Sequence, residues 1–263
     1  MKKHLLSAKN LQLGYEQKVI VENMQLNVPD GKISVIIGAN GSGKSTLLKA
    51  LSRLLKPMRG SIELDNIELS NFKAKELAKI LGLLPQSPLV PEGIKVSDLV
   101  SRGRYPYRKF LQGMTKEDFE IVTEALKLMG VLDLADRNID ELSGGQRQRV
   151  WIALVIAQST DILLLDEPTT YLDIAYQIEI LDTLRNINKI KNTTIIMILH
   201  DINLSARYAD YIFAVEKGNL VAEGKPEDII TPELMKKVYG LNCEVIKDPF
   251  SNTPLIIPIS KMD

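Results

Sequence analysis

Residues 38–45 read GANGSGKS and directly follow a short apolar run, Ile33 to Ile37. A continuous apolar run of this length is typical of a strand that is buried on both faces. A helical pattern follows from about Lys44 to Leu54. The octapeptide therefore matches G-x-x-x-x-G-K-[ST] in the strand, loop and helix context that the pattern requires. It predicts a loop that binds the phosphates of a nucleotide.

Each residue type in this loop has a physical reason. Glycines allow a tight turn and let the backbone N–H groups point inward, where they can bind an anion. The start of the helix adds partial positive charge at the same place. We expect Lys44 to contact the β- and γ-phosphates and the Ser45 hydroxyl to ligate Mg²⁺.

A second apolar run, Ile162 to Leu165, ends in two carboxylates, Asp166 and Glu167. A parallel strand delivers its last side chains to the edge of the sheet where such sheets bind ligands. Asp166 is predicted to hold Mg²⁺, directly or through a water, and Glu167 to polarise an attacking water. The alternative is a pair of solvated carboxylates that cap the next turn.

Residues 142–146 read LSGGQ and precede a predicted helix, 144–157. Ser143 is placed as the N-cap, and the two glycines expose backbone N–H groups. This predicts a second helix start that can bind an anion. The alternative is an ordinary glycine-rich helix cap.

The remaining pattern alternates buried strands with helices, which predicts an α/β fold with a mainly parallel sheet. The segment from about 88 to 142 differs, with a basic aromatic loop at 102–109, and is interpreted as an inserted helical subdomain. We predict one nucleotide-binding domain over 1–224, with 225–263 as its short helical and proline-containing tail. The other predicted strands are 5–13, 19–28, 61–64, 80–84 and 194–199, and the other predicted helices are 116–129 and 174–190.

Composition narrows the function. The 263 residues are 45% apolar, which is enough for a sizeable core, and 33 basic residues balance 33 acidic ones. Zero net charge argues against a protein whose main role is to bind nucleic acid. The single cysteine, Cys243, is expected to be a small buried residue without a functional role. No run approaches the roughly 18 apolar residues of a membrane span, so membrane attachment is expected through a partner.

In these motifs and their order, the chain resembles an ABC transporter ATP-binding subunit from near residue 5 to about residue 224. The resemblance implies a P-loop ATPase core with a small antiparallel β subdomain and the helical subdomain. It implies a homodimer that sandwiches two ATP molecules, with the LSGGQ loop of one subunit facing the phosphate loop of the other. It also implies an integral membrane permease, an extracytoplasmic substrate-binding protein, and a peripheral location on the cytoplasmic face of the cell membrane.

The resemblance assigns roles to single residues. Tyr15 is similar to the aromatic residue that stacks on adenine, and Asp173 to the aspartate that acts across the dimer. The implied catalytic residues are Glu167, His200 and Gln86, and the implied Mg²⁺ ligands are Ser45, Gln86 and Asp166. The residues assigned to ATP are Tyr15, Gly38, Ala39, Asn40, Gly41, Ser42, Gly43, Lys44, Ser45, Thr46, Ser143, Gly144, Gly145, Gln146 and Asp173.

Three further stretches resemble the importers of ferric siderophores and their haem and cobalamin relatives. They are 102–107 (RGRYPY), 166–177 (DEPTTYLDIAYQ) and the C-terminal tail with Gly224-Lys225-Pro226 and Val238-Tyr239-Gly240. A solvated surface loop is the alternative for the first stretch. Two other classes stay open: a soluble ABC ATPase of DNA repair or the ribosome, and a regulator that binds nucleotide without hydrolysing it. The presence of both Glu167 and His200 disfavours the regulator.

Overall fold

The computed structural model describes residues 3–86, 92–109, 113–170 and 172–261. It has two compact units, one that combines the chain up to Phe72 with the chain from Thr194 onward, and one that spans Lys73–Thr193. The strands are β1 (Leu6–Tyr15), β2 (Lys18–Asn27), β3 (Ile33–Ile37), β4 (Arg59–Leu64), β5 (Ile67–Glu68), β6 (Leu81–Leu84), β7 (Ile162–Asp166), β8 (Thr194–Ile198), β9 (Tyr211–Glu216), β10 (Asn219–Gly224), β11 (Leu241–Lys247) and β12 (Pro254–Lys261). The helices are α1 (Lys44–Leu51), α2 (Ala74–Ile80), α3 (Val96–Ser101), α4 (Lys116–Leu128), α5 (Gly144–Ala157), α6 (Ile174–Lys191), α7 (Ile202–Tyr208), α8 (Pro226–Ile229) and α9 (Pro232–Tyr239).

The core sheet of the first unit is built around β3. This strand pairs in parallel with β8 on one side and β9 on the other, and β9 pairs antiparallel with β10. Every residue of β3 and β8 is buried, which explains why both read as unbroken apolar runs. Because β3 and β8 are parallel neighbours, the segments that follow them leave the sheet at the same edge.

The predicted small antiparallel sheet is present in the same unit, in the order β2-β1-β4-β5. Leu11 and Leu13 of β1 are fully buried, whereas Tyr15 at the end of the strand is exposed. Together with the parallel core, this sheet confirms the predicted α/β fold class.

The C-terminal tail contains more secondary structure than the short helical segment that the sequence predicted. After α8 and α9, β11 and β12 form an antiparallel hairpin that the sequence did not indicate. Pro254 and Pro258 argue against a strand, but a proline is tolerated where its missing N–H faces away from the partner strand, as on an edge strand. In a two-stranded sheet both strands are edges. Cys243 on β11 is buried, as expected, and burial raises the pKa of its thiol.

The second unit contains the parallel pair β6 and β7 and the helices α2 to α6. The predicted helices at 116–129, 144–157 and 174–190 agree with α4, α5 and α6 to within one residue. α3, α4 and α5 pack on one another as a helical cluster. The predicted start of the helical subdomain at 88 lies outside the described residues, and its boundaries stay a prediction.

The basic aromatic stretch is not a solvated loop. Residues 102–107 form a 3-10 helix, and Arg104 within it is 5% exposed. Its Nε donates to Asp118 Oδ1 at 2.8 Å and its Nη1 to the Ala157 carbonyl at 2.8 Å. The guanidinium also lies 4.0 Å from the centre of the Tyr107 ring. Burial by itself would raise the pKa of Asp118, but hydrogen bonds from Arg104 and Thr115 outweigh burial and lower it.

We therefore expect Arg104→Ala to destabilise the protein by about 3–5 kcal/mol, because it leaves the Asp118 carboxylate buried without its cation. The stabilisation from the pair should be present above the ordinary pKa of a carboxyl group and be lost as the pH falls through the lowered pKa of Asp118. Urea unfolding of both proteins as a function of pH measures this. Arg102→Ala, at an exposed arginine in the same 3-10 helix, is the control. Equal losses in the two variants would contradict the structural role of Arg104.

Candidate functional site

The loop at 38–43 joins β3 to α1 and needs glycine at defined places. A Cβ on Gly38 would lie 2.2 Å from the Val215 carbonyl oxygen, closer than any side chain tolerates. Gly43, with φ 102°, takes the N-cap position of α1 in a left-handed conformation. The loop is closed by a hydrogen bond from the Ser42 N–H to the Ala39 carbonyl at 3.2 Å. The side chain of Ser42 is buried, and its hydroxyl has no hydrogen-bond partner among the described residues.

Lys44 is held inside this loop. Its side chain is 6% exposed, and Nζ donates to the carbonyl oxygens of Gly38 at 2.8 Å and Ala39 at 3.0 Å. Glycine at the N-cap offers no side chain to accept from the first turn of α1, so the positive end of the helix dipole is not covered by a side-chain cap. A buried ammonium beside such a helix start is an arrangement that binds a phosphate. Ser45 and Thr46 stand in the first turn of α1.

His200 and Tyr15 belong to the same unit. His200 is exposed and follows β8, so the sheet register brings it to the edge from which the phosphate loop leaves β3. Asp201 then caps α7 by accepting from the Leu204 N–H at 2.9 Å. Tyr15 lies instead on the antiparallel sheet, where 45% of it is exposed. Its ring is accessible for stacking on a planar ligand.

The carboxylates stand at the end of β7 in the second unit. Asp166 is 2% exposed and Glu167 is 8% exposed. Gln86, which follows the neighbouring parallel strand β6, donates from Nε2 to Glu167 Oε2 at 2.9 Å. Thr170 Oγ1 donates to the same oxygen at 3.3 Å. The structure thus brings Gln86 and Glu167 together, because both residues follow the ends of adjacent parallel strands.

The backbone of Glu167 is in the left-handed region, with φ 56°. For a residue other than glycine this conformation costs about 1–2 kcal/mol. Such strained residues concentrate at functional sites, where the surrounding structure holds them in place. Here the buried strand before Glu167 and the side chains of Gln86 and Thr170 fix its position.

The LSGGQ segment forms the predicted helix start. Ser143 Oγ accepts from the Gln146 N–H at 3.3 Å, and Gln146 Oε1 accepts from the Ser143 N–H at 3.0 Å. This reciprocal capping box leaves Gly144 exposed at the first position of α5. Asp173 also caps a helix, because its Oδ1 accepts from the Tyr176 N–H at 3.1 Å.

Sequence reasoning missed one connection between these elements. Gln148 of α5 donates from Nε2 to the Pro168 carbonyl at 3.0 Å, so the helix of the LSGGQ segment is bound to the turn that follows Glu167. The spacing of 20 residues carries no periodic signal that could have indicated this bond.

The residues assigned to Mg²⁺ have suitable chemistry. Ser45, Gln86 and Asp166 offer a hydroxyl, an amide and a carboxylate oxygen, the donors that this hard cation prefers. Gln86 uses its amide nitrogen for Glu167, so its amide oxygen is not engaged in that bond. Among the described residues there is no group of three or more His, Cys, Asp or Glu side chains that could hold a metal. Mg²⁺ does not need one, since it keeps several waters and is completed by substrate phosphates.

A comparison with protein-family models matches residues 21–170 to the ABC transporter family. The chain is 51% identical, over 96% of its length and 92% of the relative, to the "Probable siderophore transport system ATP-binding protein YusV" of Bacillus subtilis. It is 46% identical, over 97% of its length and 94% of the relative, to the ferric enterobactin transport ATP-binding protein FepC of Escherichia coli.

Solved structures agree with these relatives. An inward-facing ABC transporter that has been assigned to the metal-chelate type superposes with a TM-score of 0.83 and 28% identity, over 99% of both chains. A dimeric bacterial ABC transporter cassette superposes with a TM-score of 0.75 and 31% identity, over 84% of this chain and 98% of the other. None of the described helices has the length and hydropathy of a membrane span.

We expect Glu167→Gln to retain nucleotide binding and to lower ATP turnover by about 10²- to 10⁴-fold, the usual cost of losing a group that orients or deprotonates the reacting water. Glutamine keeps the size and can still accept from Gln86 or Thr170, so the fold should be unchanged. Steady-state phosphate release, measured beside ATP binding and gel filtration in ATP and Mg²⁺, tests this. The matched control is Glu141→Gln, an exposed glutamate of the same unit. Near-normal turnover in Glu167→Gln would exclude Glu167 from the reaction.

Proposed function

This chain belongs to the ABC transporter family, as its motifs predicted, and we propose that it is the ATP-hydrolysing subunit of an importer of ferric siderophores. The observation that carries the ATPase part of this proposal is the phosphate loop, with the Lys44 ammonium buried beside the open start of α1. The observation that carries the importer part is the likeness to siderophore and ferric enterobactin transport proteins over nearly the whole chain.

Binding of ATP would use the first unit. The Lys44 ammonium has three N–H donors, and two of them bind the loop carbonyls. The ammonium is therefore already oriented before a phosphate arrives. Tyr15 would stack on adenine, and the backbone N–H groups of the loop would donate hydrogen bonds to the phosphate oxygens.

Hydrolysis of ATP would depend on positioning and on stabilisation of charge, since phosphoryl transfer needs little covalent chemistry from the protein. Glu167 would orient the attacking water, and the amide of Gln86 would keep the carboxylate in place. His200 would donate to the γ-phosphate. Ser45, Gln86 and Asp166 would hold Mg²⁺, which when bound supplies charge neutralisation for the phosphates.

A dimer would complete the site. Ser143, Gly144, Gly145 and Gln146 form a second helix start suited to an anion, and in the proposal it acts on the nucleotide of the partner subunit. A related cassette, 31% identical, is dimeric, which supports this arrangement. ATP binding would then close the dimer, and ATP hydrolysis would reopen it. This cycle of closing and opening would drive the conformational change of the permease.

Lys44→Ala and Ser143→Arg should therefore fail in different ways. Loss of Lys44 should weaken ATP binding by each subunit, because its own ammonium contacts the phosphates. Ser143→Arg should change the dissociation constant of ATP for the monomer by no more than about twofold. It should abolish the ATP-dependent dimer, because the long charged side chain would be forced into the closed interface. Nucleotide titration and light scattering of the two variants, made in the Glu167→Gln background, separate these effects.

Thr115→Arg is the matched control for Ser143→Arg. Thr115 also begins a helix with a capping box, formed with Asp118 on α4, so this variant removes the same kind of cap. If Thr115→Arg abolishes the dimer equally, the loss of a cap and not a contact with nucleotide explains the result. If Ser143→Arg prevents the monomer from binding nucleotide, the cross-subunit geometry is wrong.

The cargo is the finest part of the proposal. Cargo is selected by an extracytoplasmic binding protein and by the permease, so this subunit only has to match the cytoplasmic surface of that permease. The resemblance of 102–107, 166–177 and the tail to siderophore importers, and the names of the relatives, support this cargo over haem and cobalamin. The subunit would act at the cytoplasmic face of the membrane through its contact with the permease.

Deletion of the gene should impair growth on ferric siderophore as the sole iron source, and an excess of iron salts should restore it. The direct measurement is uptake of ⁵⁵Fe-labelled siderophore, with complementation by the wild type and by Glu167→Gln. If siderophore uptake is unchanged and haem or cobalamin uptake is lost, the proposed transporter ATPase stands and the proposed siderophore cargo is wrong.

A further inference from the structure

The C-terminal part of the chain contacts the phosphate loop directly. The backbone N–H of Gly38, the first residue of the loop, donates to the hydroxyl oxygen of Tyr239 at 2.9 Å. Tyr239 is the last residue of α9 and stands 201 positions away in the sequence. Burial raises the pKa of Tyr239 to about 12, so its hydroxyl is neutral at any working pH.

The same glycine is bound from its other side by the phosphate-binding lysine. The Gly38 carbonyl accepts from Lys44 Nζ at 2.8 Å, while the Gly38 N–H donates to Tyr239. A hydrogen-bonded chain therefore runs from Tyr239 through Gly38 to the ammonium of Lys44. The Gly38 N–H and carbonyl belong to the two peptide units on either side of its Cα, so Tyr239 fixes the orientation of the first unit and Lys44 that of the second.

Tyr239 is itself firmly placed. α9 begins at the Thr231 cap and Pro232 and packs against β9 and β11, and its residues Met235 and Val238 are buried. β9 also contributes the Val215 carbonyl that leaves Gly38 no room for a side chain. The start of the phosphate loop is thus held between a strand of the core sheet and the end of α9.

The hairpin that follows α9 is bound to a second element of the site. The side chain of Asn203 on α7 donates to the Ile256 carbonyl at 3.1 Å and accepts from the Ile256 N–H at 2.8 Å. α7 begins two residues after His200. The C-terminal elements therefore contact both the phosphate loop and the helix that follows His200.

We propose that Tyr239 is a positioning residue of the nucleotide site, through which the C-terminal helix α9 holds the phosphate loop in the form that binds ATP. The inference rests on the proposed ATP binding of this site. Without the hydroxyl, the Gly38 N–H loses its acceptor and the loop gains other conformations. Apparent affinity falls by the fraction of molecules that leave the binding form.

The test compares Tyr239→Phe with the wild type in the full chain. The dissociation constant is measured with a fluorescent ATP analogue that Mg·ATP displaces, and the melting temperature is measured without nucleotide. The expected result is a rise of about fivefold in the dissociation constant, the equivalent of one net hydrogen bond. KM for ATP should rise to match, with kcat within about twofold. Because phenylalanine keeps the ring and its packing, the melting temperature should change by only a few degrees.

Tyr211→Phe is the matched control, since Tyr211 lies in the same unit at the far end of β9 and its hydroxyl interacts with Glu223. It should leave the dissociation constant unchanged. An unchanged dissociation constant in Tyr239→Phe, with or without a lower melting temperature, would mean that Tyr239 has only a structural role. That result would overturn this inference and leave the proposed ATP binding intact. A wild-type chain that does not bind the analogue would overturn the proposed ATP binding itself.

Discussion

Two hydrogen bonds of Lys44 to the carbonyls of its own loop set the conditions for the rest of the first unit. They keep an ammonium buried and oriented, which is tolerable only where carbonyl oxygens replace water. To bring those carbonyls inward the loop must turn sharply and lie close against β9, where the Val215 carbonyl excludes any side chain at Gly38. The same close packing that requires glycine at position 38 places the Gly38 carbonyl against Lys44.

Parallel pairing repeats one geometric solution in both units. β3 and β8 end together, which brings His200 to the edge of the phosphate loop, and β6 and β7 end together, which lets Gln86 reach Glu167. In each case strand registers fixed by buried apolar residues place polar side chains that are distant in sequence. The strained backbone at Glu167 is tolerated because the strand before it is buried on both faces and holds it in place.

Helix starts are the second repeated device, and their surroundings decide their use. Thr115 and Ser143 form the same capping box, yet Asp118 of the first box is tied to the buried Arg104. The second box encloses two glycines, and Gly144 between its members is exposed. At the start of α1 the N-cap is Gly43, which has no side chain, and Lys44 follows it as the first residue of the helix. The uncapped helix start beside Lys44 is suited to binding an anion.

The sequence by itself determined the local features of this protein. The phosphate loop, the LSGGQ helix start, the carboxylates after β7 and the ends of α5 were all predictable, because each depends on residues within one turn or one strand. Only the tertiary structure decided that Arg104 is buried against Asp118, that β11 and β12 pair despite two prolines, and that Gln148 binds Pro168. It also decided that Tyr239 meets Gly38. The physical reason is that these contacts join residues 7 to 201 positions apart, and no periodic pattern records which group will fill a given hydrogen bond.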